Sequence, residues 1–249
     1  MRISLVYKRG AQDEAQSVRR KAEAAGLEVL GVSPLDGYSG GAEDMVVIVG
    51  GDGSFLRIAD TTSRPIALLR YDSFGFFSSC DSGRAGELFA DLASGSFGRV
   101  ELGRIEAEFP GGSARAVNEF FLKSCGHSAS FEITVTGPED LRMSFRGDGV
   151  IMATPAGSAA HAMSFGGPLL CPGVDAFVLV PVGPIRGGAH PMVVGGGSVV
   201  RIEGSAGVQL VADGQRSFGV SGALFRASER RVILIRKESY GDKMRRLFA

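Results

Sequence analysis

The sequence predicts an α/β protein with two domains, an N-terminal doubly wound parallel sheet and a C-terminal β-rich domain. Two observations support this fold class. Over residues 1–95, apolar strand-like runs alternate with amphipathic helix-like stretches, which is typical of a parallel sheet. From residue 96 onward, short runs rich in valine and phenylalanine follow one another between turn residues, which is typical of antiparallel strands. The 37 glycines cluster at the ends of the apolar runs, where the backbone turns sharply.

The first domain, residues 1–95, alternates strands and helices in order along the chain. The expected strands are "RISLVY", "EVLGV", "DMVVIVGG" and "PIALLRY". The expected helices are "AQDEAQSVRRKAEAAGL", "SFLRIADTT" and "RAGELFADLASG", the first and last closed by a glycine. Because each helix connects one strand to the next, the strands are expected to run parallel.

The second domain, residues 96–229, is expected to be almost entirely antiparallel strands. Its strand-like runs are "GRVELGRIEAEF", "RAVNEFFL", "SASFEITVTG", "DLRMSFRG", "DAFVLVPV", "GSVVRIEG" and "GVQLVADGQ". Only "GSAAHAMSF" has a helical pattern. The tail, residues 230–249, ends in a possible short helix and is expected to dock back onto the first domain, since it has too little apolar surface to pack alone.

Charge and cysteine content restrict the functional class. Lysine plus arginine and aspartate plus glutamate both number 27, and no basic block is present, so we expect neither nucleic acid nor an anionic membrane as a partner. Cys80, Cys125 and Cys171 are odd in number and far apart, which argues against a disulfide framework and fits a reducing cytoplasm. Four prolines interrupt the longest weakly charged stretch, and the N-terminal apolar run is too short for a signal peptide. A soluble cytoplasmic protein is expected.

The first functional motif is Gly50-Gly51-Asp52-Gly53, which lies where a strand hands over to a helix. Glycines at this end of a parallel strand expose backbone N–H groups that can bind phosphate, and the helix dipole favours an anion there. A carboxylate would repel phosphate, so Asp52 suits a metal ligand or a base that acts on a hydroxyl beside the phosphates. The alternative is that Asp52 only caps the helix. Neither a Walker A loop nor a G-x-G-x-x-G fingerprint is present.

The second motif lies within residues 146–170, "RGDGVIMATPAGSAAHAMSFGGPLL". Asp148 precedes a short apolar strand, and a run of small residues follows Thr154-Pro155. Small side chains at a helix N-terminus let a flat, polyhydroxylated ligand approach the backbone N–H groups. The alternative is a small-residue helix packed tightly on the sheet with Ser158 as its cap.

The third motif is the pair Asn118-Glu119 within the apolar stretch "AVNEFFLK". Neighbouring strand residues point to opposite faces, so one of the two would face a core unless the strand ends or bulges there. A polar function is therefore plausible for this pair.

The three motifs, in this order, resemble those of the NAD kinase family over nearly the whole chain. The block "GDGVIMATPAGSAAHAMSFGGPLL" is similar to the long family signature "DG…TPTGSTAYxLSAGGPI". The segments "PVGPIRGGAHPMVV" and "VADGQ" are also similar to family segments. Gly-Gly-Asp-Gly alone is a weak signal, because phosphofructokinases and lipid kinases share it.

The resemblance implies phosphorylation of the adenosine ribose 2′-hydroxyl of NAD, with ATP or polyphosphate as donor, giving NADP. It implies an α/β domain and a β-rich domain with NAD between them, in a homodimer or homotetramer. Because the glycine loop has no lysine to neutralise the transferring phosphate, we expect Mg²⁺ or another divalent cation to contribute, without a cluster of fixed metal ligands.

Site residues follow from the resemblance by position. Asp52 is the expected base or metal-side carboxylate. Gly51, Gly53 and Arg57 are expected near the phosphates. The expected NAD-binding residues are Asn118 and Glu119 on the ribose and adenine side, Asp148 at the nicotinamide end, Ser158, Ala159, Ala160, His161 and Ser164 along the dinucleotide, and Asp213.

The chain departs from the family pattern at several positions. Ala156 and Ala159 stand where the family has threonines, His161 where it has a tyrosine, and His190 where it has an arginine. The loop "RYDSFGFF" replaces a family loop that contains glycine and asparagine. Each lost hydrogen bond removes about 1 kcal/mol, so the substrate preference is open while the acidic residues favour retained chemistry.

Two alternatives to an NAD kinase stay open on the sequence. A diacylglycerol- or sphingosine-type lipid kinase would share the glycine loop but has no need of the Thr-Pro-x-Gly-Ser block. A dinucleotide-binding protein that has lost catalysis would retain the fold, and the altered threonines are compatible with it. NADP formation distinguishes all three.

Overall fold

The computed structural model describes residues 1–71, 75–137, 140–171, 173–185, 189–236 and 243. Two compact units form the chain. The first comprises Met1–Leu102 with the segment that begins at Val232, and the second is Gly103–Arg231. No helix in the described part of the chain combines the length and the hydropathy that a membrane-spanning helix needs.

The first unit begins with strands and helices in alternation. They are β1 (Arg2–Tyr7), α1 (Gln12–Ala24), β2 (Glu28–Pro34), β3 (Met45–Gly50), α2 (Asp52–Ala59), β4 (Ile66–Arg70), β5 (Cys80–Asp81), α3 (Ala85–Ser94) and β6 (Gly98–Leu102). The second unit contains β7 (Ile105–Phe109), β8 (Gly112–Ala116), β9 (Glu119–Ser124), β10 (Ala129–Thr136), β11 (Leu141–Gly147), β12 (Gly149–Ala153), α4 (His161–Ser164), β13 (Ala176–Val182), β14 (Met192–Gly195), β15 (Val199–Ala212) and β16 (Arg216–Ala227). The chain then returns to the first unit as β17 (Val232–Arg236).

The sheet of the first unit has the order β2-β1-β3-β4-β17-β6, with β5 paired to β4. All pairs are parallel except β17 with β6. Every residue of β3 is buried, which requires cover on both faces. Helices α1 and α3 share an apolar cluster with Val47 and Val49, whereas α2 contacts β3 and β4 and contributes nothing to that cluster. The predicted doubly wound parallel sheet is confirmed.

The sheet of the second unit is antiparallel throughout, in the order β14-β13-β12-β9-β15-β16-β7-β8. Strand β10 joins it through β15 and carries β11 on its other edge. Its core includes the fully buried rings of Phe120, Phe131 and Phe225. The predicted β-rich second domain is therefore confirmed.

Three details differ from the sequence pattern. The run "GRVEL" forms β6 and pairs with β17 in the first unit, although the pattern grouped it with the second domain. The run "GSAAHAMSF" forms a 3-10 turn at Gly157–Ala159 and the single helical turn α4, because Ala160 (φ −100°, ψ −127°) leaves the helical region between them. The possible C-terminal helix lies outside the described residues, except for Lys243.

Candidate functional site

Asp52 is the first residue of α2, and Gly51 alone separates it from the carboxyl end of β3. The residue that caps the helix is Gly51, in an extended conformation, and no side chain caps this N-terminus. The Asp52 carboxylate instead accepts two hydrogen bonds from a distant loop, Oδ2 from the N–H of Phe76 at 2.7 Å and Oδ1 from the N–H of Phe77 at 3.0 Å. The structure therefore gives Asp52 a role other than that of a helix cap.

The surroundings of Asp52 act on its protonation in two directions. Burial raises the pKa of the carboxyl above its ordinary value. The N–H groups of Phe77 and Phe76 oppose this by binding the charged form, and so do the positive charges of Lys243 and Arg236. The net result is a carboxyl with a raised pKa that is held in one orientation, which suits a group that accepts a proton during a reaction.

Glycines make the close packing around this carboxylate possible. A Cβ at Gly50 would lie 2.5 Å from Ser54 Oγ, and one at Gly75 would lie 3.3 Å from Asp52 Oδ1. Gly53 is exposed in the first turn of α2, so its backbone is accessible to a ligand. The predicted loop is thus a sterically restricted turn with an accessible backbone.

Arg57 lies farther along α2, exposed, and forms an ion pair with Asp36. Both residues line a cavity of about 520 Å³ together with Tyr7, at the carboxyl end of β1, and Pro34, at that of β2. Ligands of open α/β sheets bind outside the carboxyl ends of the strands. Arg57 therefore places a positive charge at the carboxyl ends of the strands, the edge where such sheets commonly bind ligands.

In the second unit, Asn118 and Glu119 lie where the chain enters β9. The carboxylate of Asp213, on the turn between β15 and β16, accepts hydrogen bonds from three successive backbone N–H groups. They are those of Val117 (2.8 Å), Asn118 (2.7 Å) and Glu119 (3.1 Å). Asp213 has a positive φ of 48°, and the N–H of Gln215 donates to the carbonyl of Ala212, as in the tight turn that Asp-Gly favours. Asp213 thus holds the polar segment by its backbone.

Thr154 also binds the segment from Val117 to Glu119. Its hydroxyl donates to the carbonyl of Val117 at 2.6 Å and accepts from the N–H of Gly157 at 3.0 Å. The Thr154 N–H donates to the carbonyl of Asn118 at 2.8 Å. A Cβ at Gly157 would lie 2.0 Å from the Asn118 carbonyl oxygen, so only glycine fits there. The Thr-Pro-x-Gly block and the Asn-Glu pair are therefore one packed unit.

The side chains of Asn118 and Glu119 are buried but not fully satisfied. Asn118 Oδ1 and Glu119 Oε2 have no hydrogen-bond partner among the described residues. Burial, with the negative charge of Asp213 beside it, raises the pKa of Glu119 to about 8. Burial also raises the pKa of Asp213, and the three N–H groups oppose this by binding its charged form. Unsatisfied buried oxygens next to an accessible loop are typical of a ligand-binding site.

Asp148 lies just before β12, and its side chain is exposed. Its Oδ2 would lie 2.5 Å from a Cβ at Gly183, which itself has a positive φ of 55°. Glycine at 183 therefore makes room for this carboxylate.

The small-residue segment presents only some of its predicted residues to a ligand. Ser158 is fully buried, and its hydroxyl donates to the carbonyl of Pro155 (2.7 Å) and accepts from the N–H of Leu170 (3.0 Å). Ala159 and Ala160 are half-buried, while His161 and Ser164 are exposed. The ring of His161 packs edge-on to Phe121 (5.5 Å between centroids) and against Phe165 (5.2 Å).

Two groups of site residues had no predicted role in the sequence. The amides of Phe76 and Phe77 lie in "RYDSFGFF", of which residues 72–74 are outside the described residues, and Lys243 lies in the tail. No local pattern relates them to Asp52. The position of Asp213, by contrast, carried the Asp-Gly signal of a hairpin turn. Part of "PVGPIRGGAHPMVV", residues 186–188, is also outside the described residues.

Comparison with known proteins relates both units to one family. Residues 117–232 match the family model described as the ATP-NAD kinase C-terminal domain. An NAD kinase from Pectobacterium atrosepticum is 31% identical over 215 residues, which cover 79% of this chain and 72% of that protein. An NAD kinase from Erwinia tasmaniensis is 29% identical over 241 residues, covering 90% and 80%. The crystal structure of an NAD kinase from Archaeoglobus fulgidus in complex with ATP aligns with a TM-score of 0.82 at 25% identity, covering 100% of this chain and 97% of that one.

Proposed function

The chain belongs to the NAD kinase family, and we infer that it transfers a phosphoryl group to NAD and so forms NADP. The relatives described above are NAD kinases, and one of them is in complex with ATP, which supports ATP as the phosphoryl donor. Nothing in these comparisons favours the lipid kinase alternative. Polyphosphate as a second donor is a further proposal.

The observation that carries the mechanism is the orientation of Asp52 by the amides of Phe76 and Phe77. Each carboxylate oxygen has one lone pair on an amide and another available for a substrate hydroxyl. We assign Asp52 as the base. The proton of the adenosine 2′-hydroxyl passes to Asp52, the hydroxyl oxygen bonds to the γ-phosphorus of ATP, and the bond from that phosphorus to the bridging oxygen breaks, releasing ADP.

Gly51, Gly53 and Arg57 are proposed to bind the phosphates of the donor. Gly53 leaves its backbone accessible at the N-terminus of α2, where the helix dipole favours negative charge. Arg57 contributes a cation at the carboxyl edge of the sheet. Its ion pair with Asp36 is exposed, so exchange of that partner for a phosphate costs little.

The second unit is proposed to bind the dinucleotide. The unpaired Oδ1 of Asn118 and the carboxyl of Glu119 are available to the adenine and ribose. Protonated Glu119 can donate a hydrogen bond as well as accept one. Asp148 is proposed at the nicotinamide end. His161, Ser164, Ala159 and Ala160 are proposed to line the dinucleotide, with Ser158 and Asp213 shaping the segments that carry those groups.

The family implies a divalent cation. The described side chains fit a cation whose ligands come mainly from water and the substrate. Among the described residues, no three acidic, histidine or cysteine side chains are grouped as a metal site. Mg²⁺ commonly takes one or two carboxylates and completes its shell with water and substrate phosphate oxygens. Such a shell needs few ligands from the chain, since water and the phosphate oxygens of ATP would supply the rest. When bound, the cation would neutralise charge on the transferring phosphate.

The proposal also covers the cellular compartment and the oligomeric state. Cys80, Cys125 and Cys171 are all free, which supports a reducing compartment such as the cytoplasm. A homodimer or homotetramer is proposed from the family resemblance, and light scattering on the purified protein tests it.

The deciding experiment is a coupled assay for NADP. Purified protein with NAD, ATP and Mg²⁺ should form NADP, and the reaction should stop when excess chelator is added. Replacement of ATP by polyphosphate tests the second donor, and replacement of NAD by diacylglycerol tests the lipid kinase alternative. Absence of NADP under all of these conditions would refute the proposed function. Undiminished turnover in chelator would refute the requirement for a divalent cation.

A further inference from the structure

Lys243 is buried beside the loop that holds Asp52. Only 1% of its surface is exposed, and its ammonium donates to the carbonyl of Gly75 (3.2 Å), the hydroxyl of Ser78 (2.8 Å) and the carbonyl of Ser78. The Ser78 hydroxyl donates in turn to the Gly75 carbonyl at 2.9 Å. One cation therefore fixes both ends of the four-residue turn from Gly75 to Ser78.

The middle of the same turn faces Asp52. Phe76 and Phe77 supply the two N–H groups that the Asp52 carboxylate accepts. The peptide between Gly75 and Phe76 belongs to both interactions, because its carbonyl accepts from Lys243 and its N–H donates to Asp52. In a trans peptide these two groups point in opposite directions. The positive and negative charges thus lie at opposite ends of one peptide dipole, and each strengthens the hydrogen bond of the other.

We propose that Lys243 is a positioning residue for the phosphoryl transfer, which holds the Phe76 and Phe77 amides against Asp52 by binding the carbonyls of their turn. The inference rests on the proposed function, since it requires Asp52 to be the base. A buried lysine is costly unless its charge is paired and hydrogen-bonded. The turn supplies acceptors for the Lys243 ammonium, and Asp52 is a negative charge that interacts with it. Lys243 lies 168 positions along the chain from Gly75, so a contact between distant residues becomes a condition for an ordered Asp52.

The charges that face Asp52 make the inference measurable. Lys243 and Arg236 are cations that lower the pKa of Asp52 against the effect of burial. Replacement of Lys243 by methionine retains the length of the side chain and removes its charge and its hydrogen bonds. The pKa of Asp52 should then rise further, because desolvation is less opposed and the amides are less well held. Since the base must be ionised, the acid limb of the activity profile should move to higher pH.

Lys21→Met is a control for the loss of hydrogen bonds from a lysine to backbone carbonyls. Lys21 is a lysine of the same unit that also donates to two backbone carbonyls, those of Ser82 and Gly83, both at 3.2 Å. Neither carbonyl belongs to the turn that holds Asp52. A general cost of lost lysine hydrogen bonds would therefore affect both variants, whereas loss of Asp52 positioning would affect Lys243→Met alone.

The experiment measures NADP kinetics and the carboxyl ¹³C titration of Asp52 in the unliganded protein. For Lys243→Met we expect kcat to fall about tenfold or more, the KM for NAD to change less than about twofold, and the pKa of Asp52 to rise. If kcat and the Asp52 titration match those of Lys21→Met, the inference is wrong. Should Lys243→Met not fold, Ser78→Ala replaces it, with a smaller rise of the Asp52 pKa expected and an unchanged titration refuting the inference. Wild-type protein that forms no NADP would refute the proposed function alone, because the titration still reports on Lys243.

Discussion

The N–H of Asn118 donates to Oδ1 of Asp213 at 2.7 Å, and the two residues lie 95 positions apart in the chain. The same carboxylate accepts the N–H groups of Val117 and Glu119. A buried N–H that loses its acceptor costs about 1–3 kcal/mol, so the orientation of the Asn-Glu pair depends on Asp213. Asp213 thus holds in place the backbone of two residues that are proposed to bind the dinucleotide.

Asp213→Asn should therefore lower stability and weaken NAD binding together. Asparagine tolerates the positive φ at this turn, but its NH₂ group replaces one acceptor and faces backbone N–H groups. We expect the free energy of unfolding to fall by about 1–3 kcal/mol and the KM for NAD to rise more than kcat falls. Urea titration and steady-state kinetics measure both. Asp140→Asn, at an exposed position in the same unit, serves as control. Equal effects in the two variants would show that Asp213 does not hold the Asn-Glu pair in place.

Glu119 should make stability depend on pH. Burial and the charge of Asp213 raise its pKa from 4.5 to about 8 in the folded protein. Between these values the unfolded state binds fewer protons than the native state, so stability falls as pH rises, with a limiting slope of about 1.4 kcal/mol per pH unit. Glu119→Gln mimics the protonated form and removes this dependence. The stability of the variant relative to wild type should therefore increase from pH 5 to pH 8.

Urea titrations at several pH values test this prediction. The control is Glu132→Gln, at an exposed position on β10 in the same unit, and an equal rise in both variants would contradict the prediction. A relative stability of Glu119→Gln that stays flat with pH would show that Glu119 is ionised in the native protein at neutral pH.

His161 should contribute to NAD affinity through its ring. The imidazole packs against Phe121 and Phe165, and His161 is nevertheless exposed, so part of its side chain is accessible to a ligand. A stacked aromatic contact stabilises a complex by about 0.5–1.5 kcal/mol, so His161→Ala should raise the KM for NAD about two- to tenfold without loss of fold. His161→Tyr should be tolerated, and the exposed His127→Ala should have no effect. Unchanged NAD kinetics in His161→Ala would make the ring a lining residue only.

The elements of the fold followed from local patterns, whereas the contacts that complete the site did not. The alternation of apolar runs predicted the parallel sheet, and the strand that ends at Gly50 with a helix after it is present at β3 and α2. Hydrophobic periodicity reports which face of a segment is buried, and says nothing of a hydrogen bond between Asp52 and an amide 24 residues away. The expected helix at "GSAAHAMSF" is shorter because Ala160 leaves the helical region, and small residues alone do not signal such a break.

Two glycines of the motifs lie in closely packed or turned backbone. A Cβ at Gly157 would collide with the Asn118 carbonyl, and Gly183 has a positive φ of 55°, which favours glycine. Ala156 and Ala159, where the family has threonines, lie in the segment between Thr154 and α4. The Thr154 hydroxyl, which this chain retains, is the one that binds the Asn118 segment. The packing of that segment therefore does not depend on the two absent hydroxyls.

Asp52 and Asp148 should differ in the step that their removal affects. Asp52→Asn removes the charge and basicity of the group held by Phe76 and Phe77, and a positioned base contributes about a hundred- to ten-thousand-fold. Turnover should fall at least about a hundredfold while NAD still binds, because the proposed dinucleotide contacts are in the second unit. Asp148→Asn should instead weaken NAD binding and retain most of the turnover.

Both variants are compared after circular dichroism has shown that each is folded. Turnover is measured at saturating NAD, and NAD affinity by calorimetry without ATP, so that chemistry and binding are read separately. Asparagine at 52 retains one acceptor oxygen for the two amides, so a modest loss of stability is expected beside the kinetic effect. Near-normal turnover in Asp52→Asn would exclude Asp52 as the base, because its interaction with the two amides would then serve only to order the loop.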